Sequence, residues 1–108
     1  MSSEPSHLEV VEQVDERVEA RLSGDLDIVT SDGVKRELAR LVDAGHTALD
    51  LDLSDVGFVD SSGLGVLVAI HRHAASSGGA LVLRSVPPQV QRLFEITRLG
   101  DLLTVDGD

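Results

Sequence analysis

Two serines stand side by side in the segment Asp60-Ser61-Ser62-Gly63, and each carries a hydroxyl that can be phosphorylated. Leucines alternate with polar residues over positions 49–54, as in a half-buried strand, whereas the apolar residues of 64–71 recur at helical spacing. The segment therefore joins a strand to a helix, where Ser or Asp side chains accept hydrogen bonds from free N–H groups. Because this helix end favours negative charge, the fold would tolerate a phosphate on Ser61 or Ser62. The two serines thus either form a phosphorylation switch or only cap the helix.

Nucleophilic catalysis is an alternative use of the same hydroxyls, with Ser61 as nucleophile and His71 or His73 as base. The Gly-x-Ser-x-Gly motif of a nucleophile elbow is absent from the sequence. The two histidines are about 200° apart around a helix, so they cannot both address one serine or one metal ion. The chain also has no cysteine, which removes thiolate chemistry and Cys-based metal sites. We therefore expect neither an enzyme nor a metal site.

A nucleotide-binding loop is a second alternative, because Gly63 and Gly65 follow a strand and open a helix. The third glycine of a dinucleotide-binding fingerprint is replaced by Val68, and no phosphate-binding Gly-x-x-x-x-Gly-Lys-Ser/Thr loop exists. Close packing of the helix start against neighbouring backbone explains both glycines better. We expect no cofactor.

The remaining patterns predict the element order β-β-α-β-α-β-α, with an optional short final strand. The predicted strands cover 8–14, 18–23, 49–53 and 80–86, with an edge strand at 102–105. The segment 24–27 is expected to break the second strand. The first predicted helix starts at Thr30 or Ser31 and ends near Gly45. The second runs from the serine segment to about Ser76. The third runs from Pro88 through Thr97 and stops at Gly100.

This order is typical of an α/β fold with a mixed β-sheet and helices packed mainly on one face. Alternating strands agree, since a sheet covered on both faces has continuous apolar strands. The 108 residues fit a single domain, 8–108, preceded by a flexible N-terminal lead at 1–7.

The net charge of −10 limits the classes of partner. Phosphate backbones would be repelled, so we expect no direct nucleic-acid binding, whereas a basic protein partner would be attracted. The longest apolar run is far below the ~20 residues of a membrane span, so no membrane partner is expected. The first seven residues lack the basic and apolar regions of a signal peptide. These features favour a cytoplasmic protein.

The helix after the serines is apolar on two sides. One side, with Leu64 and Leu67, is expected to face the sheet, and the other side includes Val66 and Ile70. We predict that the second side docks a partner next to Ser61. The alternative is that a neighbouring helix or loop covers it, and the solvent exposure of Val66 and Ile70 decides between the two.

Three blocks of sequence resemble one family in the same order and at its usual spacing. The segment 58–67 is similar to the phosphorylation-site motif of the STAS domain in anti-sigma factor antagonists. The segment 22–27 resembles the family's second-strand motif, which ends in an acidic residue, and 87–99 is similar to its last helix. The likeness covers nearly the whole chain and implies the α/β fold described above.

The resemblance also implies a function and a partner. In this family the unphosphorylated protein binds an anti-sigma factor, a serine kinase with a histidine-kinase-like ATPase fold, and so frees the sigma factor. A serine phosphatase reverses the modification. The resemblance implies that Ser61 is the phosphoacceptor and that Asp27 assists phosphorylation or partner binding. The predicted partner-binding residues are Asp27, Asp60, Ser61, Ser62, Gly63, Val66 and Ile70.

The alternative within the family is a scaffold or transporter-associated regulatory module that works without phosphorylation. The intact Asp-Ser-Ser-Gly motif favours the antagonist. A monomer or weak dimer is expected.

Overall fold

Strands and helices alternate along the computed structural model, which describes residues 7–99 and 102–105. The strands are β1 (His7–Val14), β2 (Arg17–Leu26), β3 (Ala48–Val59), β4 (Ala80–Arg84) and β5 (Thr104–Val105). The helices are α1 (Ser31–Asp43), α2 (Ser61–Ser76) and α3 (Pro88–Thr97). The strands form one sheet in the order β1-β2-β3-β4-β5, in which β1 is antiparallel to β2 and the other neighbours are parallel.

The three helices lie over the same face of the sheet. From β2 to β5, strands that are consecutive in the chain are also neighbours in the sheet. Because right-handed crossovers join these parallel strands, every connecting helix lies on the same side of the sheet. The side chains that the strands present to the helices are buried and apolar: Val18, Ala20, Leu22, Leu49, Leu51, Leu53, Leu81 and Leu83. The predicted α/β fold, with a mixed sheet and helices on one face, is confirmed.

The opposite face of the sheet is polar and carries ion pairs. Asp50 lies between two arginines, with its Oδ2 atom 3.9 Å from Arg17 Nε and 3.4 Å from Arg84 Nη2. A second pair joins Arg21 Nε to Asp52 Oδ2 at 3.7 Å. A cavity of about 440 Å³ on this face is lined by Glu12, Val14, Arg17, Glu19, Asp50 and Arg84. The charged residues on this face thus explain why polar and apolar residues alternate along these strands.

The carboxyl group of Asp52 is affected by opposing influences. Burial raises its pKa, but hydrogen bonds from Ser54 and the charge of Arg21 outweigh burial, and the pKa lies below its ordinary value of 3.8. A carboxyl whose pKa is lower in the folded state stabilises the fold above its unfolded pKa. This stabilisation is lost as the pH falls through the folded value.

Strands β2 and β3 are longer than the sequence predicted. The segment from Gly24 does not break β2, which continues to Leu26, and β3 continues to Val59 instead of ending near residue 53. The pairing of these strands shifts register between Arg21 and Ser23 and again between Gly24 and Asp25. Such irregularities interrupt the two-residue alternation of apolar and polar residues while the hydrogen bonding between the strands continues. The alternation in the sequence therefore ends before the strands do.

Other boundaries follow local backbone conformation. The pairing of β1 with β2 shifts register between Val10 and Glu12, and Gly45, near which α1 was predicted to end, has a φ of 100°. β4 ends at Arg84 rather than at 86, because Ser85 has a φ of 53°. Helix α3 ends at Thr97, which is exposed. The predicted stop at Gly100 lies outside the described residues.

Candidate functional site

Asp60 forms the start of α2. Its Oδ1 atom accepts a hydrogen bond from the Gly63 N–H at 3.0 Å, as an N-cap side chain does. Its own N–H donates to the Leu26 carbonyl at 3.2 Å. The first turn of α2 is therefore held against the end of β2. Because Asp60 supplies the side-chain cap, capping does not account for Ser61 and Ser62.

Gly63 permits the close approach of α2 to β2. A Cβ atom at this position would lie 2.3 Å from the Leu26 carbonyl oxygen and 2.8 Å from Leu26 Cγ. At Gly65 a Cβ would meet nothing within 4 Å. The prediction that close packing explains both glycines is thus confirmed for Gly63 and wrong for Gly65.

The two serines differ in their surroundings. The Ser61 side chain is exposed, and within residues 7–99 and 102–105 its hydroxyl makes no hydrogen bond. Ser62 is half-buried and lines a groove of about 380 Å³ between the starts of α1 and α2. The groove is lined by Ile28, Ser31, Asp32, Lys35, Ser62, Gly65 and Val66. Of the two hydroxyls, that of Ser61 is the more accessible to a modifying enzyme.

Asp27 shapes the loop between β2 and α1, residues 27–30, which we call the 27–30 loop. Its buried carboxylate accepts hydrogen bonds at Oδ1 from the Val29 N–H at 2.9 Å and the Thr30 N–H at 3.2 Å. The Thr30 hydroxyl donates to the Asp25 carbonyl at 2.7 Å rather than capping α1. The structure thus gives Asp27 a positioning role in the loop that lies beside Asp60.

The 27–30 loop presents apolar side chains that the sequence reasoning missed. Ile28 is 77% exposed and Val29 is 73% exposed, and the Ile28 N–H donates to Asp60 Oδ2 at 3.1 Å. Phe58, two residues before Asp60, is 53% exposed. The available signal was a pair of β-branched apolar residues in a polar turn, outside any helical or strand period. We call Ile28, Val29 and Phe58 the apolar rim of Ser61.

The prediction that Val66 and Ile70 form an exposed docking face is wrong. Val66 is 4% exposed and Ile70 is 1% exposed. Helix α1 lies beside α2 on the same face of the sheet, and His73 Nε2 lies 2.8 Å from Asp43 Oδ1 of α1. α2 thus buries a wide arc of its surface against both the sheet and α1. The covered alternative holds, and neither side chain is available to a partner.

The described residues contain neither a cluster suited to a metal ion nor a helix suited to a membrane. No group of three or more His, Asp or Glu side chains in 7–99 and 102–105 is placed to hold a metal ion. Over the same residues, none of the helices combines the length and apolar character that crossing a bilayer requires.

Sequence and structure comparisons place the chain in a family. The family model of the STAS domain matches residues 8–107. The chain belongs to the STAS domain family. It is 30% identical over 97 residues to the anti-sigma-B factor antagonist of Bacillus subtilis, covering 90% of this chain and 88% of that protein. An anti-sigma factor antagonist from Mycobacterium paratuberculosis has a similar crystal structure, with a TM-score of 0.82 and 25% identity over 95% of this chain and 86% of that one.

The Bacillus protein SpoIIAA shares the fold in two chemical forms. Its unphosphorylated structure matches this STAS domain with a TM-score of 0.74, covering 94% of this chain and 89% of that one. Its phosphorylated structure matches with a TM-score of 0.72, covering 94% and 93%. Both are 20% identical to this chain, which establishes a common fold. These relatives are named for antagonism of a regulatory protein and not for a chemical reaction.

Proposed function

We propose that this STAS domain is an anti-sigma factor antagonist that is switched off by phosphorylation of Ser61. In the unmodified state it binds a cytoplasmic anti-sigma factor of the serine-kinase type and thereby releases the sigma factor, and a serine phosphatase restores this state. The observation that carries the proposal is the exposed Ser61 hydroxyl at the start of α2, which makes no hydrogen bond to any residue that the structure describes. The names of the relatives support the class of partner.

The apolar rim of Ser61 takes over the docking role that was predicted for Val66 and Ile70. Large apolar side chains that are exposed in the free protein gain free energy when a partner removes them from water. Ile28, Val29 and Phe58 are each more than half exposed. Asp60 joins one of these positions, Ile28, to the serine, since it accepts a hydrogen bond from the Ile28 N–H and precedes Ser61. We therefore place the anti-sigma factor over this end of the sheet.

A phosphate on Ser61 would act mainly on the interface. Phosphoserine adds about −1.5 to −2 charges at pH 7, and a helix N-terminus offsets this by ~0.3–1 kcal/mol. The fold should therefore persist, and the common fold of the two SpoIIAA forms supports this expectation. Buried without a counter-charge against a partner, the same group costs on the order of 2–5 kcal/mol. Since ~1.4 kcal/mol is a tenfold change in affinity, we expect a loss of roughly 30-fold or more.

The switch is tested by incubating the protein with candidate kinase-type anti-sigma factors and ATP, followed by intact mass and site mapping. We expect one phosphate on the wild type and on Ser62→Ala, and none on Ser61→Ala. Affinities of the unmodified and phosphorylated forms that agree within a factor of three would contradict the switch. If no candidate transfers phosphate to the folded protein, the phosphorylation-independent scaffold becomes the better account.

The docking surface is tested with Phe58→Ser, which removes apolar area beside the switch. We expect the affinity of this unphosphorylated variant for the anti-sigma factor to fall at least about tenfold. One aromatic side chain that is well buried in an interface contributes ~2 kcal/mol or more to binding. Ile96→Ser is the matched control. Ile96 is 72% exposed but lies near the end of α3, which runs back toward the opposite end of the parallel strands. Equal losses for both variants would argue against the apolar rim.

A further inference from the structure

The carboxylate of Asp60 makes hydrogen bonds to two different segments. Oδ1 accepts from the Gly63 N–H at 3.0 Å within the first turn of α2. Oδ2 accepts from the Ile28 N–H at 3.1 Å, 32 residues away in sequence. The backbone N–H of Asp60 also donates to the Leu26 carbonyl at 3.2 Å. One residue therefore ties the end of β2, the 27–30 loop and the start of α2 together.

Helix capping requires only one of these two side-chain bonds. Serine and asparagine are as effective as aspartate at N-cap positions, because a single oxygen is sufficient for the first turn. The bond to Ile28 requires a second acceptor on the same side chain. Asparagine would turn its NH₂ group, a donor, toward one of the two N–H groups, and serine has only one oxygen. The need for both contacts therefore selects a carboxylate.

The 27–30 loop has little apolar burial of its own. Ile28 and Val29 project into solvent, and hydrogen bonds to Asp27 hold Val29 and Thr30. The hydrogen bond from the Ile28 N–H to Asp60 Oδ2 links this loop to the helix that carries Ser61. A segment with few buried apolar contacts depends on such bonds for a defined position.

We propose that Asp60 is a positioning residue for partner binding, which holds the 27–30 loop so that Ile28, Val29 and Ser61 form one docking surface. This inference rests on the proposed function for its consequence in binding. Asp60 acts through the loop and does not itself contact the anti-sigma factor. Because Asp60 holds the loop in the free protein, binding does not require the loop to be ordered, and this entropic cost is avoided.

The free protein provides the first test, by NMR hydrogen exchange on wild type and Asp60→Ser. Serine keeps an oxygen for the Gly63 N–H but cannot also reach the loop. We expect exchange at the Ile28 amide to accelerate about tenfold or more, the effect of losing one charge-assisted hydrogen bond. Exchange at the Gly63 amide should stay within about threefold. If the Ile28 amide exchanges as slowly in the variant as in the wild type, the proposal is overturned.

Affinity for the anti-sigma factor, measured without ATP, provides the second test. Asp60→Ser and Ile28→Ala should each weaken binding by about tenfold. The affinity of the double variant should lie within about twofold of that of the weaker-binding single variant. Losses that simply multiply would mean that Asp60 contacts the partner directly, which overturns the proposal. Ile96→Ala is the control for a surface change away from the loop and should bind as the wild type does.

A second variant guards against misfolding. If far-UV circular dichroism shows that Asp60→Ser does not fold, Asp60→Asn replaces it, with the same expected acceleration at Ile28 or Gly63, because one oxygen cannot serve both amides. Protection retained at both amides in Asp60→Asn would overturn the proposal. If wild type binds no anti-sigma factor, the proposed function fails, and exchange in the free protein alone decides whether Asp60 holds the loop.

Discussion

Single atoms decide the geometry around Ser61. The absence of a Cβ atom at Gly63 lets the first turn of α2 lie against the Leu26 carbonyl, and the two oxygens of Asp60 then reach both the helix and the 27–30 loop. Neither contribution comes from the serine itself. The Ser61 side chain is exposed, and its neighbours supply the cap and the close packing.

Gly63→Ala is expected to destabilise the domain by about 2 kcal/mol or more, because the new methyl group would overlap backbone that cannot move freely. Gly65→Ala is the matched control two residues later. It meets nothing within 4 Å and should stabilise α2 by about 0.5–1 kcal/mol through helix propensity. Urea unfolding followed by far-UV circular dichroism measures both, since the chain has no Trp or Tyr. Equal effects in the two variants would argue against close packing at Gly63.

Helix α2 has a wider buried arc than its apolar pattern suggested. Leu67 and Ile70 are 60° apart around a helix, so the two apolar sides of α2 are joined through one buried stripe. The sheet covers one part of this stripe and α1 covers the next. A helix with two covered sides contributes to stability, and the docking surface that we propose lies instead in the loops at its start.

Ile70→Ala is expected to lower the free energy of unfolding by about 2–4 kcal/mol through cavity formation in the core. Ile96→Ala removes the same atoms from an exposed position and should change stability by less than about 0.5 kcal/mol. Folded Ile70→Ala should keep its affinity for the anti-sigma factor within a factor of three. A loss of affinity without a loss of stability would restore Ile70 to the interface.

At the scale of the whole molecule, charge opposes compactness. The chain has 19 acidic and 9 basic residues, and the ion pairs around Asp50 and Asp52 neutralise only part of this excess. Repulsion between like charges on a small surface destabilises the folded state and is screened by salt. The same excess steers basic surfaces of a partner toward the protein.

Added NaCl is therefore expected to stabilise the domain at pH 7, by on the order of 1 kcal/mol, or roughly 4–8 °C in Tm, between 10 and 150 mM. The effect should level off once the Debye length is about 8 Å. Glu9→Gln/Glu12→Gln, which removes two exposed charges from β1, is the control and should depend less on salt. A Tm that falls with salt would mean that the local ion pairs outweigh the overall repulsion.

Periodicity and local chemistry in the sequence determined the element order, the fold class and the strand-to-helix junction at Ser61. These features depend on neighbours within a few residues, such as the alternating leucines of β3 and the small polar run at residues 60–63. The family resemblance then implied that Ser61 is the phosphoacceptor. The register shifts in β2 and β3 escaped prediction because their hydrogen bonds join residues that are far apart in the chain.

Only the tertiary structure decided which apolar residues remain exposed. Val66 and Ile70 have the same local pattern whether or not α1 lies beside them, so their burial depends on how the crossovers place two helices on one face. Ile28 gains its place beside Ser61 from a bond to Asp60, a partner 32 residues away. Burial and long-range hydrogen bonds are properties of the packed molecule, because each requires residues that are distant in the chain and close in space.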